Sequence, residues 1–286
     1  MHYEHCTLCP RACGVNRLRS RGFCRMPAGA RVSKIMRHFW EEPVLAGAGG
    51  SGAIFFSGCT LGCLYCQNEA ISRGEAGEAM DAAQLRGAME DLIAQGAENI
   101  DLVTPTHFLP DILPALSPKL PVPVVYNCGG YERTETLRCL EGLVDIYLPD
   151  LKYADENLGD RLSGAKDYFP VAAEAIREMV RQTGPYVMEG DRLKRGVLIR
   201  HLILPGQVEN SLRVLDWIGE TFPKGTVLVS LMRQYTPMPR VRNLPPLNRP
   251  VTQEEYEAVL SWMYLNDLEG FTQEAESSCR DFIPDF

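Results

Sequence analysis

From Ala53 onward, strand-like and helix-like segments alternate along the chain, and this order constrains the fold more than any other feature. Ala53-Ile54-Phe55-Phe56 reads as a buried strand. Further strands are expected at Ile100–Val103, Val122–Tyr126, Val144–Leu148, Val197–Leu204 and Thr226–Leu231. Between them lie helices. Asp81 caps one that runs to Gln95, with Gln84 at the capping-box position and Gly96 past its end. Ala172, Ala175, Ile176, Met179 and Val180 make one apolar face, and Gly184 stops that helix. Two more are expected near Ser211–Thr221 and Thr252–Leu265. Alternating βα units imply a parallel sheet with right-handed crossovers. Six strands fall short of the eight that close a barrel. The predicted class is α/β: a partial (β/α)6 barrel of parallel strands (52–286) with a cysteine-containing N-terminal extension (1–51).

A chain of 286 residues that is 45% hydrophobic can bury a full core. It has no run of about 18 apolar residues and no signal-peptide-like N-terminus, so a cytoplasmic location without a membrane segment is expected. A net charge of −8 argues against binding nucleic acid by bulk electrostatics.

Ten cysteines in a chain of this kind point to metal or redox chemistry rather than to disulfides. Cys59, Cys63 and Cys66 form C-x3-C-x2-C directly after the first strand. Spaced i, i+4 and i+7, they could also be one buried helix face. Gly58 and Gly62 each cost a helix about 1 kcal/mol, which favours a loop. Three thiolates are one fewer than normally close a structural zinc or [4Fe–4S] site, so one metal position stays open for a small molecule. A second group, Cys6, Cys9, Cys13 and Cys24, spells C-x2-C-x3-C-x10-C. Four thiolates over this span suit either zinc or a second [4Fe–4S] cluster.

Parallel sheets bind ligands at the C-terminal ends of their strands. Those ends carry the cysteine loop, Thr104-Pro105-Thr106-His107, Asn127-Cys128-Gly129-Gly130, Pro149-Asp150-Leu151-Lys152, Arg200-His201 and Arg233-Gln234-Tyr235. Such a polar rim suggests an enzyme pocket. The plainer readings are an Asp150/Lys152 surface pair, core or capping roles for His107 and His201, and small core residues at Cys128, Cys139 and Cys279. Trp217, Trp262 and Tyr264 fit helix packing. Arg200, inside an apolar strand, requires a buried anionic partner.

The run Gly58-Cys59-Thr60-Leu61-Gly62-Cys63-Leu64-Tyr65-Cys66-Gln67-Asn68, with Asp150-Leu151-Lys152 and Ile199-Arg200-His201-Leu202-Ile203-Leu204-Pro205-Gly206, resembles the radical S-adenosylmethionine superfamily. The wider sequence is similar to the activating enzymes of glycyl radical enzymes, with pyruvate formate-lyase activating enzyme as the type. It is most similar to a little-characterised group of its homologues that shares the leader Cys6-Thr7-Leu8-Cys9-Pro10-Arg11-Ala12-Cys13-Gly14-Val15-Asn16-Arg17.

The resemblance implies an oxidoreductase whose [4Fe–4S] cluster is held by Cys59, Cys63 and Cys66, with S-adenosylmethionine on the fourth iron. Reductive cleavage of that molecule would give methionine and a 5′-deoxyadenosyl radical for hydrogen abstraction. Tyr65, Asn68, Thr104, Thr106, His107, Asn127, Asp150, Lys152 and Arg200 would surround the cofactor, and Asp150 and Lys152 would also serve the substrate as catalytic groups. The implied partners are a flavodoxin or ferredoxin as electron donor and a glycyl radical enzyme as protein substrate. The alternatives are a small-molecule or peptide substrate and a non-catalytic zinc-binding interaction module. Two stretches depart from the family pattern. Thr104-Pro105-Thr106-His107 stands where a Gly-Gly-Glu-like element is usual, and Gln234-Tyr235 where activators of pyruvate formate-lyase have a histidine.

Overall fold

Ser51–Phe56 is buried at every residue, as a strand must be when both of its faces are covered. It is β2 of a sheet whose described strands are β1 (Ala30–His38), β2 (Ser51–Phe56), β3 (Glu78–Met80), β4 (Asn99–Val103), β5 (Val124–Cys128), β6 (Ile146–Pro149), β7 (Val187–Glu189), β8 (Arg192–Leu202), β9 (Leu228–Met232) and β10 (Gly270–Thr272). The computed structural model describes residues 2–74 and 77–273. Cys279 lies outside the described residues.

The strand order is β10-β9-β8-β6-β5-β4-β2-β1-β3, with β7 paired to β8. β2, β4, β5, β6, β8 and β9 run parallel, the six strands that the alternation predicts. β10 adds a parallel strand beyond β9. At the other edge β1 is antiparallel to both β2 and β3. The end strands β3 and β10 do not pair, so among the described residues the sheet is an open, partial barrel. β1 comes from the leader, yet it pairs with β2 from His38–Ser51 to Val32–Phe56. The leader is thus built into the sheet. Its strand is hard to see in sequence because Arg31, Lys34 and Arg37 interrupt any apolar pattern.

Along a strand, successive side chains face opposite ways. Outward-facing Phe56, Leu102, Tyr126, Tyr147, Ile199 and Leu231 join the large core beneath the helices, where burying each such side chain contributes roughly 1.5–3 kcal/mol. The helices cover this layer with Leu85, Met89 and Leu92 from Ala82–Ala94 and with Ala172, Ala175, Ile176 and Met179 from Tyr168–Thr183. Asp81 closes its capping box with Gln84, and Thr252 does the same with Glu255. Trp217 packs edge-on against Phe169 and Phe222, whereas Tyr264 is exposed. Cys128 is buried, but Cys139 is exposed and is no core residue.

The inward faces make a second, smaller core. Val125, Ile146, Leu148, Leu198 and Leu228 pack with Val44 and Leu45 from the segment that links β1 to β2. This apolar floor positions the site. Two residues further along each strand, on the same face, stand Asn127, Asp150, Arg200 and Ser230.

Candidate active site

Ser57 to Asn68 form an irregular loop at the end of β2. Gly58 (φ +79°) and Gly62 (φ +68°) adopt left-handed conformations that only glycine takes readily, so the three cysteines do not share a helix face. A Cβ at Gly58 would fall 2.5 Å from Met26 Cγ and 2.6 Å from the Cys24 carbonyl oxygen. Cys59, Cys63 and Cys66 all line one cavity of about 1040 Å³. Ser163 Oγ donates to Cys63 Sγ at 3.0 Å, and the Leu61 amide to Cys59 Sγ at 3.4 Å.

This donor set fits a [4Fe–4S] cluster. The ligands are soft sulfurs, and the donors around them would stabilise an anionic centre. Among the described residues no three His, Cys, Asp or Glu side chains converge on a single ion.

Beside the loop runs a chain of charged and polar side chains. Lys152 Nζ donates to Asp150 Oδ2 at 2.6 Å, and Arg200 Nε donates to Asp150 Oδ1 at 3.0 Å. Arg200 Nη2 donates to Asn127 Oδ1 at 2.5 Å, and Asn127 Nδ2 to Asp101 Oδ2 at 3.3 Å. Arg200 Nη1 lies 3.5 Å from Glu41 Oε2. Burial by itself would raise the Asp150 pKa. The charges of Lys152 and Arg200 outweigh it and hold the carboxyl below the ordinary aspartate range. Burial works against the Lys152 and Arg200 cations too, and Asp150 restores both. Glu41 shows the opposite balance: burial first, then Asp101 and Glu42, push it well above the usual carboxylate range.

Of the residues expected at the cofactor, Tyr65, Asn68, Thr104, Asn127, Asp150, Lys152 and Arg200 line the cavity. Asp150 and Lys152 are not a plain surface pair: their side chains are 21% and 15% exposed. The structure does not bring Thr106 and His107 there. Thr104 has a φ of +59°, rare for a β-branched residue, and the chain then turns into a short 3-10 segment, Thr106–Phe108. Thr106 Oγ1 donates to Glu132 at 2.7 Å. His107 Nε2 bonds the Ser57 carbonyl at 2.7 Å, and burial lowers its pKa to about 3. His201 also faces outward, between the Leu151 carbonyl and Ser211 Oγ.

The rim residue Gln234 and Gln67 of the cysteine run also line the cavity and meet through Gln67 Nε2 and the Gln234 carbonyl at 2.7 Å. His38, Glu41 and Glu42 arrive from the segment that crosses beneath the barrel. The only sequence signal for that trio was the pair of acidic residues before Pro43.

Comparison with known proteins agrees with this geometry. Residues 45–106 match the family described as a 4Fe-4S single cluster domain. The uncharacterized protein MJ0674 of Methanocaldococcus jannaschii is 30% identical over 272 residues, covering 90% of this chain and 74% of that protein. A radical SAM methyltransferase from Sphaerobacter thermophilus superposes with a TM-score of 0.53 at 14% identity, covering 87% of this chain and 78% of its own. Streptococcus suis SuiB, bound to its precursor peptide SuiA, superposes with a TM-score of 0.52 at 14% identity over 77% of this chain. The present chain spans about half the length of SuiB (47%). The fold is thus one shared with radical S-adenosylmethionine enzymes, and the segment that carries the three cysteines matches a 4Fe-4S domain. The chain belongs to the family of MJ0674. No helix among the described residues is long and apolar enough to cross a membrane.

Proposed function

We propose that this protein reductively cleaves S-adenosylmethionine and directs the resulting 5′-deoxyadenosyl radical to a hydrogen donor on a polypeptide. One observation carries the reading: three loop thiols and the Lys152–Asp150–Arg200–Asn127 chain share a single cavity of about 1040 Å³. That volume is at the top of the roughly 300–1,000 Å³ of small-molecule sites, leaving space beside the cofactor for part of a substrate. When bound, the cluster supplies the electron that breaks the sulfonium carbon–sulfur bond.

Cys59, Cys63 and Cys66 would hold the cluster. Arg200 and Asn127 present donors suited to the cofactor's carboxylate and ribose, fixed in place by Asp150 and Asp101. Lys152, fixed by the same carboxylate, offers its ammonium to cofactor or substrate. The floor of Val44, Leu45, Leu198 and Leu228 keeps water from a reactive radical.

Two features favour a polypeptide donor. Phe39 and Trp40 belong to the cavity wall and are 48% and 64% exposed, an aromatic edge of the kind that takes up peptide chains. SuiB, which shares the fold, was solved with a precursor peptide. Installing a glycyl radical on a partner enzyme, with a flavodoxin or ferredoxin as reductant, is the specific form of this reading that the sequence motifs suggest.

The test is anaerobic. Protein reconstituted with iron and sulfide receives dithionite and S-adenosylmethionine, and 5′-deoxyadenosine is quantified against Cys63→Ala. Product that depends on Cys63 supports the reading. A fully loaded wild-type protein that gives no more product than the variant, with or without candidate peptides, would overturn it.

A further inference from the structure

Residues 2–29 contain no helix or strand, although they pack against the barrel. Loops longer than about 12–15 residues without secondary structure are uncommon in compact domains and need some other means of ordering. Two cations, Arg11 and the buried Arg17, supply part of it. The Arg11 guanidinium donates to the carbonyls of Thr60, Leu61, Ser163 and Gly164. Arg17, 1% exposed, donates to those of Met26, Pro27 and His107. These bonds tie the leader to the cysteine loop and to its support, but they leave the hairpin between Cys6 and Val15 with little core of its own.

Four thiols gather in that region. Cys6, Cys9 and Cys24 are buried, Cys13 is exposed, and none forms a disulfide. Backbone bonds from the Cys6 amide to Val15 O and from the Gly14 amide to Cys6 O, both 3.0 Å, fold Cys9 and Cys13 back beside Cys6. Cys13 and Cys24 approach from either side of Gly22: a Cβ there would sit 3.4 Å from one sulfur and 3.5 Å from the other. Arg17 Nη1 lies 3.9 Å from Cys6 Sγ, a fixed positive charge beside sulfurs that would become anionic on binding a metal. Cys9 lies near enough to Cys24 and Cys6 for their charges to act on one another.

We infer that Cys6, Cys9, Cys13 and Cys24 form a second metal centre, a closed site of four thiolates filled by a [4Fe–4S] cluster, each thiolate on a different iron. With four protein ligands it has no open coordination position, so its role is to order the leader. It does so against the catalytic loop, because the Cys24 carbonyl packs on Gly58, the residue before Cys59. The four sulfurs do not converge on one ion, and neither do those of Cys59, Cys63 and Cys66.

The test removes the first centre so that the second can be read alone. A Cys59→Ala/Cys63→Ala/Cys66→Ala variant is produced anaerobically, offered zinc or iron with sulfide, and analysed by native mass spectrometry, elemental analysis and visible absorption. One zinc per chain without colour would overturn the cluster assignment. Four irons with four sulfides and a brown chromophore support the cluster form. Adding Cys13→Ser, at the exposed ligand, should lower the iron content at least twofold and reduce the melting temperature. A folded triple variant, verified by circular dichroism, that retains no iron would also overturn the inference. The outcome does not depend on whether the protein cleaves S-adenosylmethionine.

Discussion

Asp150 and Arg200 face each other across a parallel β-bridge, the Leu151 amide donating to the Arg200 carbonyl at 2.8 Å. That backbone pairing sets their side chains on one face, where Arg200 Nε reaches Asp150 Oδ1. With Lys152 on the other carboxylate oxygen, Asp150 is the common anion of two cations inside the cavity. Removing it strands Lys152 and leaves Arg200 the longer ionic contact to Glu41.

Asp150→Asn should therefore lower stability by about 3 kcal/mol, since breaking a buried ion pair leaves charge uncompensated. It should also abolish most 5′-deoxyadenosine formation. The pKa of Asp150 is lower in the folded chain, so its contribution is complete above the unfolded value of about 3.9 and is lost as pH falls below it. Urea unfolding between pH 3 and pH 6 should show a steeper acid loss for the wild type than for the variant. Parallel curves would deny Asp150 this role.

Arg200→Lys keeps the charge but loses the fork that spans Asp150 and Asn127. Calorimetric titration of the reconstituted protein should find S-adenosylmethionine binding about 10- to 100-fold weaker, the cost of one or two charge-assisted hydrogen bonds. Unchanged affinity would place the cofactor away from Arg200.

Glu132 carries the opposite linkage. It is 2% exposed, and burial raises its pKa to about 8 despite hydrogen bonds from Thr106 and Tyr126. Between the unfolded value of about 4.3 and pH 8 the folded state holds a proton that the unfolded chain has released, so stability falls as pH rises across that window. The loss is of the order of a few kcal/mol. Glu132→Gln should flatten the dependence between pH 5 and pH 8, and an equally steep variant would assign it elsewhere.

Gly58→Ala tests the junction of leader and loop. A methyl there collides with Met26 and the Cys24 carbonyl at a left-handed φ. We expect a loss of about 2 kcal/mol or more together with reduced iron uptake at Cys59, Cys63 and Cys66, measured by melting and iron assay. Normal loading would show that the leader and the loop move independently.

Much of the frame was legible in the chain. The six parallel strands fall within a few residues of their expected places, apart from the early start of β8 at Arg192, because an apolar run between capped helices has few other solutions. The three-cysteine loop followed from spacing and two glycines. Thr106 and His107 stand outside the cavity wall because neighbours in sequence need not point the same way. After the left-handed turn at Thr104, their side chains serve Glu132 and Ser57 instead. β1 was hidden by basic residues, and Glu41 and Glu42 by their ordinary appearance before a proline.

The sequence by itself determined what local chemistry dictates: the strand and helix order, the open-ended thiolate set, and the need of Arg200 for an anion. Only the tertiary structure decided which anion that is, which rim residues face the cavity, and that the leader crosses beneath the barrel to supply its floor. These depend on pairing between segments 50 or more residues apart. A local pattern cannot encode such pairing, because it is fixed by how the whole sheet closes around its core.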